Sequence, residues 1–219
     1  MWRALAIKEL RDVSLIVAAS MFAFLVWAAS VVGAQLPWLG VRQNVMIPFL
    51  TGEVVGPLTI IATATAIGIG LRQSTCVLDD SSSQFLLHRP LERWRLIAFK
   101  LFIGSGIVCS LSVVTVALLC SWAAFPGNNP APFEIWMTVP AWIAIACVTV
   151  VYQAAFLSGL RPANWFGTRL FPTIGILPVA FGIGVLSHWY LVPGILAVIA
   201  MNWILWIAIR NLADSRDYA

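Results

Sequence analysis

Residues Arg89–Trp122 read RPLERWRLIAFKLFIGSGIVCSLSVVTVALLCSW. A knot of arginines, Arg89, Arg93 and Arg95, gives way to a run from Leu96 to Trp122 in which Lys100 is the sole charge. A hydrocarbon layer about 30 Å thick needs about 20 apolar residues at a rise of 1.5 Å each, so this run is a membrane-crossing helix. Translocation disfavours Lys and Arg in short loops, so the arginine knot places the start of that helix in the cytoplasm.

Outward from this span, five more runs of the same kind lie near Val13–Val32, Ile47–Leu71, Ile135–Leu157, Leu170–Leu186 and Leu191–Ile209. The whole chain is 61% hydrophobic and 10% charged over 219 residues, a composition foreign to soluble domains. Six spans put Arg3, Lys8 and Arg11, then Arg72 through Lys100, then Arg161 and Arg169, and finally Arg210 and Arg216 on one side. Of the 13 Lys and Arg residues, Arg42 alone falls on the other. The expectation is an all-α polytopic protein of the plasma (inner) membrane, with one six-span domain over 13–219 and both termini cytoplasmic.

Several local signals bear on the same division. Trp38, Trp122, Trp136, Trp189 and Tyr190 fall near the expected outer boundary, and Trp2, Trp94, Trp165 and Trp206 near the inner one. Between the last two runs only Ser187, His188, Trp189 and Tyr190 intervene, and Pro193 with Gly194 favours a tight helical hairpin there. Val32-Gly33-Ala34 resembles a signal cleavage site, but the preceding run is too long for a signal peptide and Glu9 and Asp12 dilute its basic start. Met1–Asp12 reads instead as an N-terminal interfacial helix, with Trp2, Ala6 and Leu10 on one side and Lys8, Arg11 and Asp12 on the other.

A net charge of +4 is accounted for by cytoplasmic residues facing anionic lipid, and no basic stripe points to nucleic acid. Cys109 and Cys147 fall within spans, Cys120 near a span end and Cys76 on the cytoplasmic side, a pattern of small buried residues rather than of a disulfide framework.

The longest stretch outside the membrane lies between spans two and three. Asp79, Asp80 or Ser81–Ser83 can cap a helix start, and Pro90 ends that helix and opens the next. Phe85, Leu86 and Leu87 are then an apolar triplet among charges, and they need a bilayer surface or another protein to pack on.

Lys8-Glu9-Leu10-Arg11 before span one, and Phe85-Leu86-Leu87, Pro90, Arg93, Leu96 and Lys100 after span two, resemble the membrane subunits of type-2 ABC transporters. Those subunits have six spans, a cytoplasmic N-terminus and a coupling segment between spans two and three. This chain differs in carrying Asp79, Asp80 and a serine run where the family often has Glu followed by Gly-Thr, and Glu92 where a small residue is usual. The resemblance implies that Phe85, Leu86, Leu87, Pro90 and Arg93 couple to a separate cytoplasmic ATPase subunit. That subunit would hold ATP and Mg, and this chain would bind no cofactor of its own. A second copy, or a similar permease subunit, would complete the path. Consistently, Lys8 and Lys100 are the only lysines and neither sits in a phosphate-binding loop, so the chain itself is read as no enzyme.

Within the spans, Glu53 is the only acid clearly inside a run, and it either reaches the outer headgroups or lines a path. Gly52 and Gly56 are spaced for close helix approach, and Thr59 and Thr63 continue that side. Glu53, Gly56, Thr59 and Thr63 are therefore the candidate translocation path or dimer interface. Gln153 and Asn202 are deep amides that should find partners across helices. Pro172 and Pro178 with Gly175, Gly182 and Gly184 make span five irregular, and it is expected to be internal.

The function that follows is that of the permease subunit of an ATP-driven exporter or extractor. The alternative is a non-transporting membrane scaffold or assembly subunit, which would share this topology. A membrane-embedded enzyme ranks below both, because Glu134 and His188 are its only acid–base pair and no metal or nucleophile motif accompanies them.

Overall fold

In a computed structural model, residues 2–33, 49, 52–79, 93–126, 132–161 and 168–215 are described. Among them the protein is all-helical: α1 Trp2–Val31, α2 Gly52–Asp79, α3 Arg93–Ala124, α4 Val139–Leu160, α5 Phe171–Trp189 and α6 Leu191–Ser215. A 3-10 turn, Ile135–Thr138, leads into α4. Five stretches are long and apolar enough to cross a bilayer, namely Arg3–Val31, Val54–Thr75, Trp94–Ala124, Ile135–Leu160 and Leu191–Asp214. Phe171–Val185 in α5 is a shorter apolar helix.

The helices alternate in direction, so the ends bearing the basic residues gather. Glu9 near the start of α1 meets Gln73 near the end of α2 and Lys100 near the start of α3. Trp94 of α3 stacks edge-on against Trp206 of α6, centroids 5.0 Å apart, with the Arg210 guanidinium 5.9 Å from the Trp94 ring. Thr173 at the start of α5 bonds Ser158 at the end of α4.

At the centre stands α4. Its residues are buried on every side, among them Ala141, Ile145, Val148, Tyr152, Ala155 and Phe156. It packs on α2, α3, α5 and α6. A helix apolar all round has no side to turn to solvent, and its alanines and glycine let neighbours close in. A Cβ on Gly70 of α2 would stand 2.8 Å from the Tyr152 carbonyl oxygen and 2.9 Å from the Ala155 Cβ. One on Gly159 of α4 would collide with the Ser74 side chain of α2. These two glycines set the approach of α2 and α4.

The described residues bear on three expectations. The segment expected as an N-terminal interfacial helix is continuous with the first span: α1 runs unbroken from Trp2 to Val31, and Leu5, Glu9 and Val13, four residues apart on one face, are all buried. Span five is not the internal helix of the chain. In α5 only one side, with Thr173, Ile176, Ala180 and Ile183, is buried against α4, while Ile174 and Phe181 stand exposed. Pro172 sits in the first turn, where no helical bond is lost, whereas Pro178 lies inside the helix and has no N–H to offer the Ile174 carbonyl. At Gly56 a Cβ would meet nothing within 4 Å among the described residues, so no helix of the chain among them packs closely there.

The hairpin between the last two helices is as expected. Tyr190 alone separates α5 from α6, and the Gly194 N–H bonds its carbonyl at 3.1 Å.

Candidate functional site

An acid inside an apolar helix bundle needs a partner, because an unpaired charge there costs several kcal/mol, about the worth of a whole core side chain. Glu9 is 1% exposed, and its Oε1 lies 2.8 Å from the Lys100 ammonium, so α1 and α3 are joined by a buried ion pair. The Gln73 Nε2 donates to Glu9 Oε2 at 3.4 Å, which brings in α2. The Tyr152 hydroxyl donates to Gln73 Oε1 at 2.7 Å and stands 3.5 Å from the Lys100 carbonyl oxygen, which brings in α4. Four helices thus meet on four polar side chains.

The elements place these groups by simple periodicity. On α2, Ala62, Ala66, Ile69 and Gln73 repeat at three- and four-residue steps and are all buried, so Gln73 points where the apolar stripe points. On α3, Gly104 lies one turn beyond Lys100, and a Cβ there would collide with both Gln73 Oε1 and the Tyr152 hydroxyl. Glycine at 104 keeps the cluster's corridor open. Tyr152 itself is fully buried, and its ring fills the space between α2 and α3.

Chemically the cluster is closed. The carboxylate and the ammonium neutralise each other, the amide is oriented by the phenol, and only the Lys100 side chain, at 13% exposure, reaches the surface. Such a set joins helices and fixes their register. Among the described residues no three His, Cys, Asp or Glu side chains gather as a metal site would require.

Two further polar contacts hold α4 to its other neighbours. Gln153 Nε2 donates to Asn202 Oδ1 at 2.9 Å, Thr149 Oγ1 donates to the same oxygen at 3.2 Å, and Asn202 Nδ2 returns to the Val198 carbonyl at 2.9 Å. The partners expected of these amides are therefore each other. At the basic end, Ser158 Oγ and Thr173 Oγ1 are 2.7 Å apart, and buried Arg169 donates from Nη2 to the Gly159 carbonyl at 2.7 Å. That last bond caps α4, whose final carbonyls lack helical partners.

The residues singled out from the sequence fall differently. Phe85, Leu86, Leu87 and Pro90 lie outside the described residues, and of Arg93 only the backbone, opening α3, is described. Glu53 lies in the first turn of α2, with its side chain outside the described set. Thr59 and Thr63 are half-buried on α2, and Thr59 Oγ1 bonds the Val55 carbonyl of its own helix at 2.6 Å. Glu134 accepts a bond from the Trp136 indole two residues on and is exposed, which leaves it a surface residue of the 3-10 turn. Glu9 is a site residue that the sequence reading does not single out. Its signal is present in the Leu5, Glu9, Val13 spacing, an acid in the middle of an apolar stripe.

No protein-family model, curated protein or solved structure matches this chain.

Proposed function

We propose that the chain is the permease subunit of an ATP-driven transporter of the type-2 ABC class, with six spans and both termini in the cytoplasm. Two such subunits enclose the path, and two cytoplasmic ATPase subunits dock on the segment between α2 and α3. Nucleotide binding favours one arrangement of the docked ATPases, and the connection passes that preference to the helices.

One observation carries the reading. The two stretches that resemble the family, Lys8-Glu9-Leu10-Arg11 and the run ending at Lys100, meet in the fold as the Glu9–Lys100 ion pair. The length of α5 supports the sixth span, since 19 helical residues extend about 28 Å, close to the hydrocarbon thickness. The gathering of the basic helix ends supports a common cytoplasmic side.

The test is association and transport. The chain expressed with candidate ATPase subunits should carry one of them through purification, and Phe85→Asp or Leu86→Asp should release it while leaving membrane insertion intact. Vesicles containing the pair should move substrate only with Mg-ATP. Association without any ATP-dependent transport would favour the scaffold instead, and no association with any ATPase would remove the permease reading altogether.

A further inference from the structure

The polar cluster sits at matched depths on the two stems of the α2–α3 connection. Gln73 lies six residues before the last residue of α2, Asp79, and Lys100 lies seven after the first residue of α3, Arg93. At 1.5 Å per residue, both are about 10 Å from the respective ends. Both stems are held by the same carboxylate: Glu9 Oε1 faces Lys100 and Glu9 Oε2 accepts from Gln73. The stems therefore do not depend on each other alone for their spacing; α1 supplies the group between them.

We propose that Glu9 is a positioning residue, clamping the two stems of the α2–α3 connection to α1 so that a displacement of the connection moves α1, α2 and α3 as one body. Three observations support it. Glu9 is buried and both its oxygens are engaged by stem residues. Tyr152 holds Gln73 from the far side, and its hydroxyl also stands 3.5 Å from the Lys100 carbonyl oxygen of the other stem. Gly104 leaves the space that this contact occupies, and a Cβ there would displace the Gln73 amide or the Tyr152 hydroxyl. A carboxylate in this place does what an apolar side chain could not, because it attracts a cation on one stem and accepts a hydrogen bond from the other. The clamp stands on the cluster's geometry alone, whereas its role in coupling rests on the permease reading.

The experiment is distance measurement by electron paramagnetic resonance on the full chain in lipid nanodiscs. Spin labels are placed at Arg72→Cys and Phe102→Cys for the two stems, and at Arg11→Cys and Phe102→Cys for α1 against α3, with Cys76, Cys109, Cys120 and Cys147 replaced by Ala. Arg11, Arg72 and Phe102 are exposed and none belongs to the cluster. Both distributions should be narrow in the parent and at least double in width in Glu9→Gln. The exchange of Glu9→Lys with Lys100→Glu restores opposite charges between α1 and α3 but gives Gln73 Nε2 no acceptor at position 9, so it should narrow the α1–α3 distribution again and leave the stem distribution broad. Unchanged stem distances in Glu9→Gln would overturn the clamp. If Glu9→Gln does not accumulate in membranes, the exchanged pair decides by itself: a narrow α1–α3 distribution beside a broad stem distribution upholds the clamp, and a broad α1–α3 distribution or a narrow stem distribution overturns it.

A co-purifying ATPase adds a readout that a merely stabilising residue would not move. With ATPase bound, Mg-ATP should shift the α1–α3 and stem distances together in the parent, whereas in Glu9→Gln the ATPase should stay bound while the two shifts separate. Shifts that remain joined in Glu9→Gln would overturn the coupling role. Failure of the parent to bind any ATPase would instead count against the permease reading, with the nucleotide-free distances still testing the clamp.

Discussion

Gln153 of α4 donates to Asn202 of α6 at 2.9 Å, and the receiving oxygen is shared with the Thr149 hydroxyl at 3.2 Å. The contact joins the central helix to the last one well inside both apolar stretches, where a bilayer offers no water to bond instead. Gln153 Oε1 has no hydrogen-bond partner among the described residues, so the amide is held from one end only.

Removal of either amide should therefore be felt by the other. Gln153→Leu and Asn202→Leu are each expected to destabilise the bundle, with a coupling between them of about 1 kcal/mol, the scale of hydrogen bonds between membrane helices. Unfolding of the two single variants and the double variant by SDS titration, followed by circular dichroism, gives the coupling. Strict additivity would mean that the bond contributes nothing to holding α6.

For the Glu9–Lys100 pair the expected pattern is sharper. Lys100→Met leaves the buried Glu9 carboxylate unmatched and should cost about 3–5 kcal/mol, Glu9→Gln, which leaves the partly exposed Lys100, should cost less, and Glu9→Leu with Lys100→Met together should lie closer to the parent than Lys100→Met alone. The same SDS titration measures it. Losses that simply add in the double variant would show that the two groups stabilise the bundle independently.

Two glycines on α3 separate space from propensity. Gly104→Ala drives a methyl into Gln73 and Tyr152, while Gly106→Ala meets nothing within 4 Å. The first should lower stability by about 1–3 kcal/mol, as overpacking does, and the second should be neutral or slightly stabilising through better helix propensity. Comparable behaviour of the two variants would contradict the packing of α3 on α2 and α4.

Topology can be tested without any partner. Single cysteines at Ser82 and Asn164 should react with an impermeant maleimide only from the cytoplasmic side, and one at Asn128 only from outside. Labelling of Ser82 and Asn128 from the same side would rule out six spans and, with them, the proposed docking of an ATPase on the segment between α2 and α3.

Helix existence was legible throughout, since each apolar run became a helix: the one marked Leu96–Trp122 is Arg93–Ala124, and the one marked Leu191–Ile209 is Leu191–Ser215. The pairing of Gln153 and Asn202 was half legible, as a need for partners without their identity. Glu9 was not. Its sequence neighbours Lys8, Arg11 and Asp12 gave the segment the look of a surface helix, and only the folded chain brings Lys100 and Gln73 to it.

By itself the sequence determined that the chain is helical and suited to a bilayer, because apolar length is a one-dimensional property and hydrocarbon leaves backbone groups no partner outside the helix. Tertiary structure decided which helix stands at the centre and which charges are joined. Lipid tails are as apolar as a protein interior, so hydropathy does not distinguish a buried helix such as α4 from the exposed side of α5. That distinction lies in shape, in Gly70 and Gly159 admitting α2 against α4, and in a carboxylate at position 9 that finds its cation and its hydrogen-bond donor only when α3 and α2 have come to it.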